Sequence, residues 1–358
     1  MKYTILSLVI FLSTIVVFAD NATVVAYLPA PGQFVNTLPA ATAEDDSVSM
    51  ASAADAALQK GSMLHLGGFG GYVIAKFPSP ISNAVVDDYD FRIFGNAYDG
   101  NAEPGVVWVS ADDNQNGLPD DTWYELYGSE ADRSTRPYSI TYYRPSAADD
   151  AATGAVDRYI RWRASDDTEG FIPKNTFHKQ SYYPLWIDAD SITYTGTLLP
   201  YNAFDKNGDG SYWVLNAYDY GYADNKPNKD LDGCSFKIEW AHTADGTPAN
   251  LDRIDFVKVQ GGINKINGQI GECSTEITGI ESIRELASAV ENIVDFEYLV
   301  DSHQSIVTFG KTIGFVMIVS VNGQIVATYA DTDVVDFSHL DRGVYVCVAD
   351  GKSLKIIK

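Results

Sequence analysis

Two short stretches hold the residues whose types and spacing point most directly to chemistry. Asp112-Asp113-Asn114-Gln115-Asn116-Gly117 and Asp205-Lys206-Asn207-Gly208-Asp209-Gly210 both follow the pattern D-x-[DN]-x-[DN]-G. In such a loop alternate side chains turn inward and offer oxygens to one hard cation, while Gly at the sixth position allows the sharp bend. Asp112, Asn114 and Asn116, with Asp120 at the ninth position, make the first expected calcium set. Asp205, Asn207 and Asp209 make the second. The twelfth position is Trp123 in one and Asn216 in the other, where an EF-hand places a bidentate Glu, so neither loop is an EF-hand. The few charges imply modest affinity, suited to millimolar extracellular calcium. Asp and Asn also favour ordinary turns, and that alternative stands beside the first.

Aromatic segments lie near the second loop and elsewhere. Asn216–Asn225 sets Tyr218, Tyr220 and Tyr222 among Asn216, Asp219 and Asp224. Phe177–Trp186 contains Tyr182, Tyr183 and Trp186. A sugar or other polar ring ligand requires stacking faces beside directed amide and carboxylate groups. The candidate ligand-binding set is therefore Tyr182, Tyr183, Trp186, Trp213, Asn216, Asp219, Tyr222 and Asp224. The same residue types also build sandwich cores, so packing is the competing reading.

Catalytic signatures are weak. The chain has no G-x-S-x-G and no H-E-x-x-H. Its 48 Asp and Glu residues are so numerous that an opposed pair for a glycosidase can always be nominated. A lyase would draw on Tyr182, His178 and Arg161. The five histidines are scattered, and none of the three cysteines has zinc-type spacing. Cys234 and Cys273 could pair after export; Cys347 reads as a small buried apolar residue. The expectation is a non-catalytic binding protein, with a secreted carbohydrate-active enzyme, hydrolase or lyase, as the alternative.

The elements that must position these groups are strands. Tyr159–Arg163 and Phe236–Trp240 alternate apolar and charged residues, as a strand with one wet face does. Val106–Val109, Tyr138–Tyr143, Ser191–Thr197 and Ile254–Val259 are further strands, separated by Gly, Pro, Asn and Asp. Ser49–Lys60 reads as a helix stopped by Gly61. Glu281–Asn292 is a second helix or a linker. The glycines of Leu66–Tyr72 miss the G-x-G-x-x-G spacing and precede a strand, so close backbone packing explains them better than a phosphate loop. The fold class is all-β: a jelly-roll-like β-sandwich over 20–280, followed by a small C-terminal β-sandwich.

Composition and termini place the chain outside the cell. A net charge of -23 repels phosphate backbones and excludes nucleic acid as a partner. Lys2, the apolar run Tyr3–Phe18 and the small Ala19 read as a signal peptide over 1–19, with the mature chain starting at Asp20. No later stretch is long and apolar enough to span a bilayer as a helix. At the other end, Phe315–Val321 and Gln324–Tyr329 flank Asn322-Gly323, a strong hairpin signal. That turn, the Asp336–Leu340 segment, the strand from Gly343-Val344-Tyr345 and the terminal Lys358 resemble the C-terminal sorting domain of type IX secretion cargo in Bacteroidota. The resemblance covers Ile283–Lys358, within a linker and sorting region assigned to 281–358. It implies the type IX machinery as a partner and a secreted or cell-surface destination.

A second resemblance covers most of Ala26–Thr278. Leu66–Tyr72, Phe91–Asn96, Glu103–Val109, Asn116–Leu126, Tyr182–Pro184, Trp213–Asp224 and Ile254–Gln260 are similar to segments of a group of bacterial cell-surface proteins. That similarity implies a jelly-roll binding module without an enzymatic signature, recognising a glycan or a small polar ligand, cobalamin-like compounds included.

Overall fold

The computed structural model describes residues 21–83, 88–268, 270–283, 298–301, 305–320, 325–340, 343–349 and 352–358. The expected signal peptide and the turns Asn322-Gly323 and Asp350-Gly351 lie outside them. The chain divides into two compact units that part after Arg284.

The larger unit is an all-β sandwich, as its strand pattern implies. In spatial order its main sheet runs Thr23–Leu28, Tyr72–Ser82, Arg253–Gly261, Gly105–Ser110, Tyr124–Leu126 and Ala241–His242. A second sheet runs Ser191–Leu198, Thr135–Tyr143, Val156–Ala164 and Glu169–Lys174. The pairings are antiparallel, which leaves one face of a strand free to be polar. Ser191–Leu198 shows the consequence: Ile192 and Tyr194 are buried, while Thr193 and Thr195 stay outside and bond Thr141 and Ser139 across the strands. Gln260 in the first sheet donates to the carbonyl of Thr195 in the second at 3.2 Å. One apolar core gathers Val73, Phe77, Phe91, Val107, Phe236 and Val257; another gathers Phe69, Ile140, Tyr142, Ile160 and Tyr194.

The expected helix is present as Ser47–Leu58, capped by Asp46, whose carboxylate accepts from Val48 and Ser49. Its end is closed by the Gly61 N–H on the Leu58 carbonyl at 2.9 Å. Two glycines of the Leu66–Tyr72 run have the packing role expected of them. A Cβ on Gly67 would sit 1.8 Å from the Ala30 carbonyl oxygen, and one on Gly71 would sit 1.9 Å from that of Leu66.

Phe236–Trp240 departs from the expectation. It is not one strand. Ser235–Phe236 pairs with Arg92 and Phe91, Ile238–Trp240 forms a single 3-10 turn, and Ala241–His242 joins the main sheet beside Leu126. The Asp90 carboxylate accepts the Ile238 N–H at 2.7 Å and turns the chain from one sheet to the other. Phe236 and Ile238 are buried as the alternation requires, but Trp240 is only half-buried, alongside Lys237 and Glu239. The boundary also differs. Gly279–Ser282 pairs with Phe91–Phe94, so residues 281 and 282 belong to the body and not to a helix or linker. The remainder of the proposed Glu281–Asn292 helix, beyond Ile283, lies outside the described residues.

The smaller unit is one sheet curled into a half-barrel. Ile306–Ser320 is its centre and pairs with Tyr298–Asp301, Ile325–Asp336 and Val344–Ala349; Lys352–Ile357 lies beyond the last. Val316, Ile318, Phe337, Cys347 and Ile356 fill its core. The Lys358 ammonium donates to the carbonyls of Ser338 and Leu340, so the terminal base and the Asp336–Leu340 segment meet. All three cysteines are buried and free, and Cys234 and Cys273 do not pair.

Candidate functional site

The first acidic loop leaves the main sheet directly after Ser110 and is held by it. Asp255 accepts the Asp112 N–H at 2.8 Å, and Arg253 donates to the Asp112 carbonyl at 3.0 Å. Asp112 is buried, and its two oxygens accept the N–H groups of Asn116 and Gly117 at 3.0 and 2.9 Å. Asn114 and Asn116 both reach Asp120 through their side-chain amides, at 3.1 and 3.0 Å. Asn114 and Asn116 therefore meet at Asp120, while Asp112 turns back onto the loop backbone. These amide contacts hold the Asp120 carboxyl below its ordinary value.

The second loop is the tip of a hairpin, Ala203–Asp205 with Trp213–Leu215. Its side chains do not converge. Asp205 accepts from Asn207 and Gly210, Asn207 reaches Ser211, and Asp209 caps the Ser211 N–H at 3.0 Å. Among the described residues no three His, Cys, Asp or Glu side chains are arranged to hold a metal ion. In the first loop the Asn114 and Asn116 side-chain oxygens accept the N–H groups of Asn116 and Leu118 at 2.9 and 2.7 Å, so its two carboxylates and two amides are already bonded within the loop.

Beside the second loop lies a cleft of about 540 Å³. Tyr98, Asp99, Asn101, Lys206, Tyr212 and Trp213 line it. Tyr98 and Tyr212 are 61% and 49% exposed, and the Lys206 ammonium lies over the Tyr212 ring, 5.0 Å from its centroid. The walls are fixed by backbone bonds: Leu215 donates to Gly100 at 2.8 Å, and Ala102 to Leu215 at 3.1 Å. The buried Asn202 side chain adds bonds to the Ala102 and Asn216 carbonyls, both 2.8 Å. The Trp213 indole N–H is buried and has no partner among the described residues.

Of the expected ligand residues, only Trp213 lines this cleft. Asn216 and Asp219 are exposed nearby in sequence. Tyr182, Tyr183, Trp186, Tyr222 and Asp224 are core residues and present no stacking surface. Tyr182 packs on Tyr159 at 5.2 Å, Trp186 stacks on Tyr27 at 6.3 Å, and Tyr222 packs on Tyr218 at 5.1 Å. Their hydroxyls are used inside: Tyr182 donates to the His178 carbonyl and Tyr183 to that of Ala189. The nominated lyase residues are likewise occupied. The His178 ring packs on Phe34 at 4.4 Å, and Arg161 pairs with Glu169 at 2.7 Å. Tyr98, Asp99, Asn101 and Tyr212 were not among the expected residues. Their signal lay in the Asn96–Asn101 turn, which the sequence places more than a hundred residues from Tyr212.

The sequence also gave no warning of a buried acidic cluster. His65, Glu103, Asp224, Glu272 and Glu276 come together in the interior. The Gly67 N–H donates to His65 Nδ1 at 3.2 Å, so Nε2 carries the proton and donates to Glu276 Oε1 at 3.1 Å. Burial lowers the His65 pKa to about 4 and keeps it neutral. Burial, then the neighbouring Asp224 and Glu272, push Glu276 well above the ordinary range. Its carboxyl shares a hydrogen bond with Asp224, which also accepts the N–H groups of Asn96 at 2.6 Å and Glu276 at 2.9 Å. Glu103 is raised by burial and by Glu276. Asp224 adopts a positive φ of 52°, a left-handed conformation that Asp tolerates better than most residues.

No protein-family model matches the chain, and no curated protein matches it.

Proposed function

We propose that the chain is an exported, calcium-stabilised binding protein that holds a glycan or other small polar ring ligand without transforming it. The observation that carries this reading is the cleft at Trp213. It combines two exposed aromatic rings with one carboxylate, one amide and one ammonium, the mixture that a polyhydroxylated ring requires. The second acidic loop supplies part of its rim through Lys206 and Gly210. Calcium at Asp112, Asn114, Asn116 and Asp120 would add charge-assisted cross-links to a loop rooted in the main sheet.

Export rests on the resemblance of Ile283–Lys358 to a type IX sorting domain. Removing 283–358 is expected to trap the body in the periplasm; the truncated chain on the cell surface or in the medium would overturn this part. Ligand binding is tested by calorimetry of the mature chain against soluble glycans and cobalamin, with calcium and with chelator. Tyr212→Ala and Trp213→Ala are each expected to weaken binding about tenfold or more, which corresponds to ~1.4 kcal/mol. Binding that both variants leave intact would move the site elsewhere, and a changed product in the syringe mixture would make the protein an enzyme.

A further inference from the structure

Lys258 lies in Arg253–Gly261, a central strand of the main sheet, between Ile74 and Trp108 on the neighbouring strands. Its ammonium sits over two indoles, 4.6 Å from the Trp108 ring and 5.2 Å from that of Trp123. Among the described residues it has neither a hydrogen bond nor a carboxylate partner. The acid nearest in influence, Glu125, is already engaged by Arg136 at 3.0 Å and Thr197 at 2.5 Å. A cation in such a place is unusual in a chain of net charge -23, where acids outnumber bases almost two to one. Ammonium groups withdrawn from water are ordinarily paired. The desolvation shows in its pKa, lowered by burial to about 8 against an opposing pull from Glu125.

The ammonium borders open space. A cavity of about 270 Å³ is lined by Lys258 with Tyr72, Trp123, Thr193, Thr195 and Gln260. The Thr193 and Thr195 side chains bond away across their own sheet, so these residues offer the cavity the backbone of an edge strand. Gln260 is buried and its Oε1 has no partner among the described residues. The cavity thus holds one unpaired cation, one aromatic wall, a phenol and backbone polar groups. A ligand that satisfies all of them has one negative charge, a flat or saturated ring to lie on Trp123, and hydroxyls at its edge.

We infer that this cavity is an anion site for a small ring carboxylate of the sugar-acid class, such as a hexuronate, with the carboxylate on the Lys258 ammonium. It shares no residue with the cleft at Trp213. Binding there is expected to be weak, since the overall negative field opposes it, and to fall with added salt.

Tryptophan fluorescence of the intact mature chain, titrated with glucuronate, galacturonate and neutral glucose, tests this. Trp108 and Trp123 are the reporters. Both acids are expected to give a saturable change that glucose lacks. Lys258→Met keeps the stem and removes the charge, and should abolish the change; Lys258→Arg should retain part of it. Lys258→Met should also melt no lower than the parent, because it relieves a half-buried charge that has no carboxylate partner among the described residues. Failure of both acids to bind, binding equal to that of glucose, or binding unchanged in Lys258→Met would each overturn the assignment. Glycan binding at the Trp213 cleft should be unaffected by Lys258→Met, so the two sites fail independently.

Discussion

The molecule uses the same side chains in two opposite ways. In the exposed loops, carboxylates accept backbone and amide N–H groups, and the pKa values of Asp120 and Asp209 are lowered. In the interior, Glu103, Glu272 and Glu276 are raised, chiefly because burial disfavours their charge. Chemistry in the loops is local and ionic: each acid finds its donors within a few residues. In the cluster it is long-range and largely neutral: His65, Asn96, Asp224 and Glu276 come from four distant segments and are bound to one another. An acid count alone would treat the two regions alike. Solvent decides which acids attract cations and which act as hydrogen-bond donors.

The largest effect should come from the interior. Asp224→Ala strips the acceptor from the Asn96 and Glu276 N–H groups and leaves the Glu276 carboxyl with His65 but without its carboxyl partner. Breaking a buried network of this kind costs roughly 3–5 kcal/mol. At ~2–4 °C per kcal/mol, the melting midpoint should drop by roughly 10 °C. Asp224→Asn, which tolerates the left-handed backbone, should lose less. A midpoint within a degree of the parent for Asp224→Ala would mean that the cluster braces nothing.

The next effect is on pH dependence, where the two regions should diverge in sign. The folded pKa of Glu276 lies above the ordinary 4.5. Its contribution to stability is full below that value and is lost as pH climbs through the raised folded value. Asp120 and Asp209 are lowered from 3.8, so their contribution is present above that pH and is lost as pH falls. His65, lowered from 6.5 to about 4, also stabilises only above its ordinary range and loses that stability as pH drops toward 4. Glu276→Gln keeps a donor for Asp224 without an ionisable proton. Relative to the parent it should gain stability as pH rises above 4.5, by at most ~1.4 kcal/mol per pH unit. Parallel melting curves for the two proteins across that range would show that Glu276 does not titrate there.

Calcium should act on the loops and leave the cluster untouched. An ion that binds only the folded chain adds about 1.4 kcal/mol at ten times its Kd. For a domain of this size that is a rise of roughly 3–6 °C over the chelated form, with magnesium giving less because it tolerates irregular oxygen cages poorly. Asp112→Ala should remove most of that increment. Identical melting in calcium and in chelator would make both loops ordinary turns. The smallest effect belongs to Asp209→Ala, whose exposed carboxylate caps one N–H at 3.0 Å. In chelator its melting midpoint should stay within about 2 °C of the parent's, and its calcium response should stay close to that of the parent, because the second loop does not gather its ligands.

Local pattern alone determined the all-β class, the Ser47–Leu58 helix, the strands around Val107, Ile140, Ile160 and Val257, and the two acidic loops. Each depends on residues within one turn or strand of each other, where side-chain periodicity and backbone geometry are set by near neighbours. The same pattern read Phe236–Trp240 as a strand, because apolar and charged residues alternate there; Asp90, far away in sequence, makes it a corner. Tyrosines gave no sign of their place. Tyr182 and Tyr212 look alike as sequence, yet one is sealed in the core and the other walls a cleft. Tertiary structure alone decided that partition, the meeting of Tyr98 with Trp213, the isolation of Lys258 between two indoles, and the union of His65 with Glu276. Those outcomes depend on which surfaces exclude water together, a property of the packed sheets that no single segment carries.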